Sequence, residues 1–276
     1  MSEEKTKGKF NLVSVLLLLI GAVCIAVSIW GILGIISEYK TAVDKYNKLE
    51  DEFVHVNVPT ESVDDTETQV ESTEEDSFKW YKMVTVDMEG LQKQYQDIVG
   101  WIFFENEDIS YPIMYSIDNE KYLYRSYDGT ESASGSIFVE AAHSDEFTDI
   151  HTVIYGHNMY DMSMFAKLRY YKTKEGYYDD HKYFQIITGN RVLRYQIFAC
   201  QEVKVDSYVF QERFTSGYEL ASKLLKKSMI NPGLYFKDTD KIVTLSTCTD
   251  KDDHRFVVSA VLVGTYIITN DILLEK

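Results

Sequence analysis

From Phe10 to Ser37 the chain runs 28 residues without a charge, rich in Leu, Ile and Val. A helix crosses the ~30 Å hydrocarbon core of a bilayer with about 20 residues, so this run suffices even when tilted. A buried helix of a soluble protein would show a polar stripe over so many turns. A cleavable signal peptide would carry an apolar region of only about 7–15 residues. Cys24 invites a lipoprotein reading, but Gly21 and Val23 occupy positions where that signal wants a large apolar and a small residue. The stretch 10–37 is therefore expected to be one uncleaved membrane anchor behind a cytoplasmic tail, 1–9. Lys5, Lys7 and Lys9 precede it and Lys40, Lys45 and Lys48 follow it, so the positive-inside count is a tie. The tight cluster and short tail before the span favour an inward N-terminus and an outward-facing body.

The net charge is −16, which argues against a nucleic-acid partner, since phosphate binding relies on Lys and Arg. Eleven acidic residues and no Lys or Arg lie between Leu49 and Ser77, leaving −5 for everything else. With Ser, Thr and Val interspersed without period, that stretch reads as a solvated, extended stalk. Ahead of it, Val43, Tyr46, Leu49 and Phe53 recur at steps of three and four, which predicts a helix continuing the anchor outward over 38–53. Residues 38–77 are thus expected to be an extracellular helix and stalk, with a compact domain over 78–276.

That domain opens with an expected amphipathic helix over Met88–Val99 and continues mainly in strands. Ser110–Tyr115, Gly135–Val139, Thr152–Tyr155, Phe184–Ile187 and Val192–Phe198 are short, β-branched or aromatic, and bounded by turn residues. Thr188–Arg191 reads as a hairpin turn. A helix is expected between Gln211 and Asn231, with Tyr218, Leu220, Ala221, Leu224, Leu225 and Met229 on its apolar face. Many short strands with few helices point to a β-barrel or sandwich.

Two further strands carry the chemistry. Lys241–Cys248 ends on a thiol, and Arg255 opens Phe256–Val263 after the short loop Thr249–His254. Two strands so joined set a thiol and a guanidinium at one end of a sheet. His157 lies upstream in Tyr155-Gly156-His157-Asn158-Met159. A thiolate is the nucleophile, an imidazole delivers a proton to a leaving amine, and a guanidinium is a permanently charged partner for an oxyanion. Cys248, His157 and Arg255 are the candidates for those roles. Cys200, in the apolar run Tyr195–Cys200, reads as a small hydrophobe. His143, His151 and His181 read as solvated loop residues, His254 as a turn residue, and His55 as part of the linker. Asp250 is a candidate orienter of His157. Glu140, Asp145, Glu146 and Asp149 lack the alternation of an EF-hand loop, and no metal-ligand spacing occurs in the sequence, so no metal or cofactor is expected.

The motifs Thr244-Leu245-Ser246-Thr247-Cys248, Arg255 and the His157 segment resemble a sortase of Gram-positive bacteria, specifically class B, over about Phe78–Thr269. The Cys-to-Arg loop is short for that class. The resemblance implies an eight-stranded barrel with helices before it and a helix between its sixth and seventh strands. It also implies a cysteine transpeptidase without a cofactor. Such an enzyme cleaves the C-terminal sorting signal of a surface protein, often Asn-Pro-x-Thr-x, and joins it to a cell-wall precursor or peptidoglycan amine. Ser246 and Thr247 would then border the substrate groove, with the Gln211–Asn231 helix as one wall. Other readings of the same residues are a cysteine endopeptidase or amidase acting on wall peptides, a pilus-type polymerising enzyme, and a non-catalytic surface protein.

Overall fold

The computed structural model describes residues 12–57, 83–211 and 213–267. The expected tail, 1–9, and most of the acidic run lie outside the described residues. In chain order the elements are α1 (Leu12–Phe53), β1 (Val54–Asn57), β2 (Met83–Val86), α2 (Met88–Gln94), β3 (Ile98–Phe104) and β4 (Ser110–Met114). There follow β5 (Ile137–Val139), β6 (His151–Tyr155), α3 (Tyr170–Thr173), α4 (Tyr177–Asp180), β7 (Tyr183–Thr188) and β8 (Arg191–Lys204). The chain closes with α5 (Tyr208–Gln211), α6 (Gly217–Leu225), β9 (Ile242–Cys248) and β10 (His254–Ile267).

Eight strands, β3 to β10, close a barrel in the order β10-β8-β7-β3-β4-β5-β6-β9. Side chains alternate across each strand. On β9, Val243 and Leu245 join the main core with Trp101, Ile113, Phe184 and Tyr195. Ile242, from the other face, joins a second cluster in which Leu220, Ala221 and Leu224 of α6 cover Phe198, Ala199, Val257 and Val261. Helix α6 thus lies between the sixth and seventh barrel strands, β8 and β9, against the barrel's outer side. The β7–β8 hairpin turns on Gly189-Asn190, where Gly189 takes a φ of 53° that a side chain would strain.

Helix α1 is one uninterrupted element of 42 residues, with exposed apolar side chains from Leu12 to Ile36, long and apolar enough to cross a membrane. Its far end belongs to the barrel. Tyr46, Leu49 and Phe53 are each 5 % exposed or less and sit in the main core, and β1 pairs with β2, Asn57 opposite Met83. The stretch from Leu49 to Asn57, read from its charge as stalk, is therefore docked structure, and His55 is a strand residue rather than linker.

Two helices are shorter than their apolar spacing predicts. Helix α2, capped by the Asp87 carboxylate on the Gly90 N–H, stops at Gln94, and Ile98 and Val99 enter β3. The spacing Leu91-Tyr95-Ile98 suits a helix face, but Ile98 is buried as a strand residue opposite Met114. Helix α6 starts only at Gly217, capped by Ser216, and ends at Leu225 instead of running from Gln211 to Asn231. Beyond it the chain is captured by β8: the Cys200 N–H donates to Ser228 Oγ at 3.0 Å and the Met229 N–H to the Cys200 carbonyl at 2.8 Å.

Candidate active site

Three adjacent strands end at the same level. β6 runs parallel to β9, with Tyr155 opposite Ser246, so two residues further on His157 is level with Cys248. β10 runs antiparallel to β9, with Arg255 directly opposite Cys248. Cross-strand partners face the same side of a sheet. Cys248, His157 and Arg255, far apart in sequence, all line one cleft of about 250 Å³.

Each is fixed through a backbone carbonyl. The His157 Nε2–H donates to the Leu123 carbonyl at 2.6 Å, which fixes the ring and leaves Nδ1 as its other proton-carrying atom. Tyr124 lies against the imidazole, ring centroids 5.7 Å apart. Arg255 Nη1 donates to the carbonyls of Asp252 and His254, at 3.0 and 2.9 Å, so the short loop after Cys248 orients the guanidinium. The Asn158 amide donates to the Cys248 carbonyl at 2.9 Å, tying the histidine loop to the cysteine strand. Between them Gly156 donates its N–H to the Ser246 carbonyl at 3.1 Å. A Cβ at Gly156 would fall 2.4 Å from Ile137 and 2.6 Å from the Phe165 ring, so only glycine brings the loop this close.

Ser246 and Thr247 both border the cleft but on opposite faces of β9. Ser246 shares the face of Cys248, and its buried hydroxyl has no partner among the described residues. Thr247 lies on the side of Val243 and Leu245, toward the barrel core. The expected wall from the Gln211–Asn231 helix is corrected: Val205 and Phe210, ahead of α6, form it, with the Phe210 ring stacked on Tyr155. Asp250 is exposed, and the Leu123 carbonyl holds His157 instead.

Also lining the cleft, Tyr155 donates its hydroxyl to the Glu140 carboxylate at 2.5 Å, and the Asn119 amide donates to the same carboxylate. Burial and the Glu140 charge push the Tyr155 hydroxyl well above its ordinary pKa, so it stays a donor. Glu140 thus braces two residues that line the cleft, Tyr155 and Asn119, rather than standing in an exposed acidic loop. Asn119, Leu123, Asn158 and Phe210 were not singled out by sequence; of these only Asn158 lies in a stretch whose pattern draws attention.

Three histidines depart from their expected solvated state. His151 is 3 % exposed, with Nε2 2.9 Å from Thr244 Oγ1, and burial lowers its pKa to about 3. His143 packs edge-on against it, and burial lowers its pKa too. His181 stacks on Tyr177 and bonds to that residue's carbonyl. The cysteines are all free. Cys200 is buried in the core, where desolvation pushes its thiol up to about 12, while Cys248 is half-exposed at the cleft.

A thiol, an imidazole and a guanidinium around one groove can form and break an acyl thioester. The chain is similar to known proteins. A Sortase domain family model matches residues 108–263. Sortase B of Listeria monocytogenes is 36% identical over 183 residues, covering 64% of this chain and 74% of the relative. A Bacillus anthracis structure described as similar to sortase B superposes with a TM-score of 0.59 at 32% identity, over 65% of this chain and 83% of that one. A Staphylococcus aureus sortase B–substrate complex gives a TM-score of 0.58 at 28% identity, over 66% and 85%. A closed barrel with α6 between its sixth and seventh strands, matched over more than half the chain, places the protein in the sortase family, in class B, among the cysteine transpeptidases.

Proposed function

We propose that the chain is a membrane-anchored enzyme that cleaves a C-terminal sorting signal of Asn-Pro-x-Thr-x type and transfers the protein to a cell-wall amine. Cys248 attacks the threonyl carbonyl with its thiol proton passed to His157, and the oxyanion gathers charge beside the Arg255 guanidinium. Collapse breaks the peptide bond, the departing amine takes a proton from His157, and an acyl thioester remains on the sulfur. The wall amine, losing a proton to the same imidazole, attacks the thioester and frees Cys248. Ser246 supplies a hydroxyl to the bound signal, and Thr247 shapes the groove floor. Residues 10–37 form the membrane anchor, with the N-terminus in the cytoplasm and the barrel outside, next to both substrates.

The observation that carries this reading is the strand register, which brings Cys248 opposite Arg255 and level with His157 on one cleft. Likeness to the S. aureus enzyme solved with a substrate supports a peptide of sorting-signal type in that cleft. The test uses the full-length chain in detergent micelles with quenched peptides carrying Asn-Pro-x-Thr-x or Leu-Pro-x-Thr-Gly, with and without a glycine-rich amine. Cleavage after Thr with an amine-ligated product, lost in Cys248→Ala, is expected. Hydrolysis indifferent to amine would sink the transfer step and favour an endopeptidase. Ligation to a lysine of a second surface protein in preference to the glycine amine would make the product a polymer.

A further inference from the structure

Tyr46 lies about two and a half turns beyond the apolar run, where α1 packs on the barrel. Its hydroxyl donates to the Gly135 carbonyl at 2.8 Å and lies 3.1 Å from Ser136 Oγ. Gly135 has a φ of 55°, and a Cβ there would fall 2.3 Å from the Leu123 carbonyl oxygen. That oxygen is the one that accepts the His157 N–H. Ser136 closes the same loop, its N–H donating to the Tyr122 carbonyl and its hydroxyl to that of Arg125. Lys45 secures the loop from α1, 2.6 Å from the Asp128 carboxylate and 2.7 Å from Thr130 Oγ1.

A second route leads to the thiol. The Tyr46 ring meets Tyr111 edge-on at 5.5 Å, and the Tyr111 hydroxyl accepts the Met164 N–H at 3.0 Å. Met164 bridges to Asn158, the residue that holds the Cys248 carbonyl. One buried side chain of α1 therefore backs both loops that carry the site.

We propose that Tyr46 is a positioning residue for His157: the helix leaving the apolar span sets the Gly135–Leu123 contact, and through it the carbonyl that orients the imidazole. The inference rests on His157 being the proton donor of the proposed reaction. Tyr46→Phe keeps the ring and removes the hydroxyl, and Gly135→Ala forces the Leu123 carbonyl aside. Both are made in the full-length chain in micelles. The His157 titration is followed by NMR on histidine-labelled protein, and peptide cleavage is followed over about pH 5 to 9. In Tyr46→Phe the His157 midpoint is expected to move. In the same variant kcat should fall several-fold with KM unchanged, and the pH limb set by His157 should follow its midpoint. A His157 titration identical to that of the parent chain overturns the proposal, whatever the melting temperature does. Because the titration needs no turnover, it separates this inference from the peptide assay: a parent chain that cleaves no peptide would sink the functional reading and leave Tyr46 still tested.

Discussion

Arg255 donates to two carbonyls of its own loop and stands across the strand pair from Cys248, so its charge is in place before any substrate arrives. Preorganised donors of this kind contribute about 10²–10³ in rate. Arg255→Ala is expected to lower kcat/KM for a sorting peptide by about that factor while Cys248 still reacts with an alkylating probe. Arg255→Lys should recover only part, because an ammonium on a flexible stem lacks the planar guanidinium, whose Nη1 is anchored on both carbonyls while its other N–H groups stay available. A loss of only a few-fold in Arg255→Ala would remove the guanidinium from the oxyanion role. At this scale the sequence showed the thiol, the imidazole and the guanidinium, since each is a side chain at the end of a recognisable run. It did not show what holds them. The partners of His157 and Arg255 are backbone carbonyls of Leu123, Asp252 and His254, and a carbonyl is present at every residue alike.

Among the elements, α1 had the clearest signal and the most incomplete reading. Its period placed Val43, Tyr46, Leu49 and Phe53 on one face of an outward-running helix, but the eleven acids from Glu50 onward made the chain read as solvated, and nothing local says that such a face has a barrel to meet. Phe53 is 5 % exposed. Phe53→Ala is expected to destabilise the described fold by about 3–5 kcal/mol, visible as a lower denaturant midpoint with the helical signal of the apolar span retained. An unchanged midpoint would show the contact to be dispensable. The strands were legible because alternation is a local property: β9 and β10 fell within a residue of their expected starts. The ends of α2 and α6 were not, because long-range pairing set them, Ile98 with Met114 and Ser228 with Cys200. Helical spacing continued past both ends without any matching helix.

In the molecule as a whole, the barrel's outer side buries a neutral imidazole beneath Phe214 and beside His143. Unfolded, His151 titrates near 6.5; folded, desolvation first and His143 second hold it to about 3. The unfolded chain therefore takes up this proton before the folded one does. Stability is fully present above about pH 6.5 and is lost as pH falls toward 3, by an amount on the order of 4 kcal/mol at the lower end. Urea unfolding at about pH 7 and pH 4 should show the drop, and His151→Phe should flatten it; a profile equally steep in that variant would assign the loss elsewhere. The pairing of β1 with β2 bears on geometry rather than energy. Asn57 and Met83 lie side by side in a two-stranded sheet outside the barrel, so the chain between them leaves and returns at one place and adds nothing to the distance between bilayer and cleft. Given the proposed anchor, that distance is set by α1 alone, whose first buried residue, Tyr46, lies nine residues beyond Ser37, about 14 Å of helix. On the proposed anchoring the enzyme has a fixed working height. It acts on what comes close to the lipid headgroups, and evolution can lengthen or trim the acidic run without moving it.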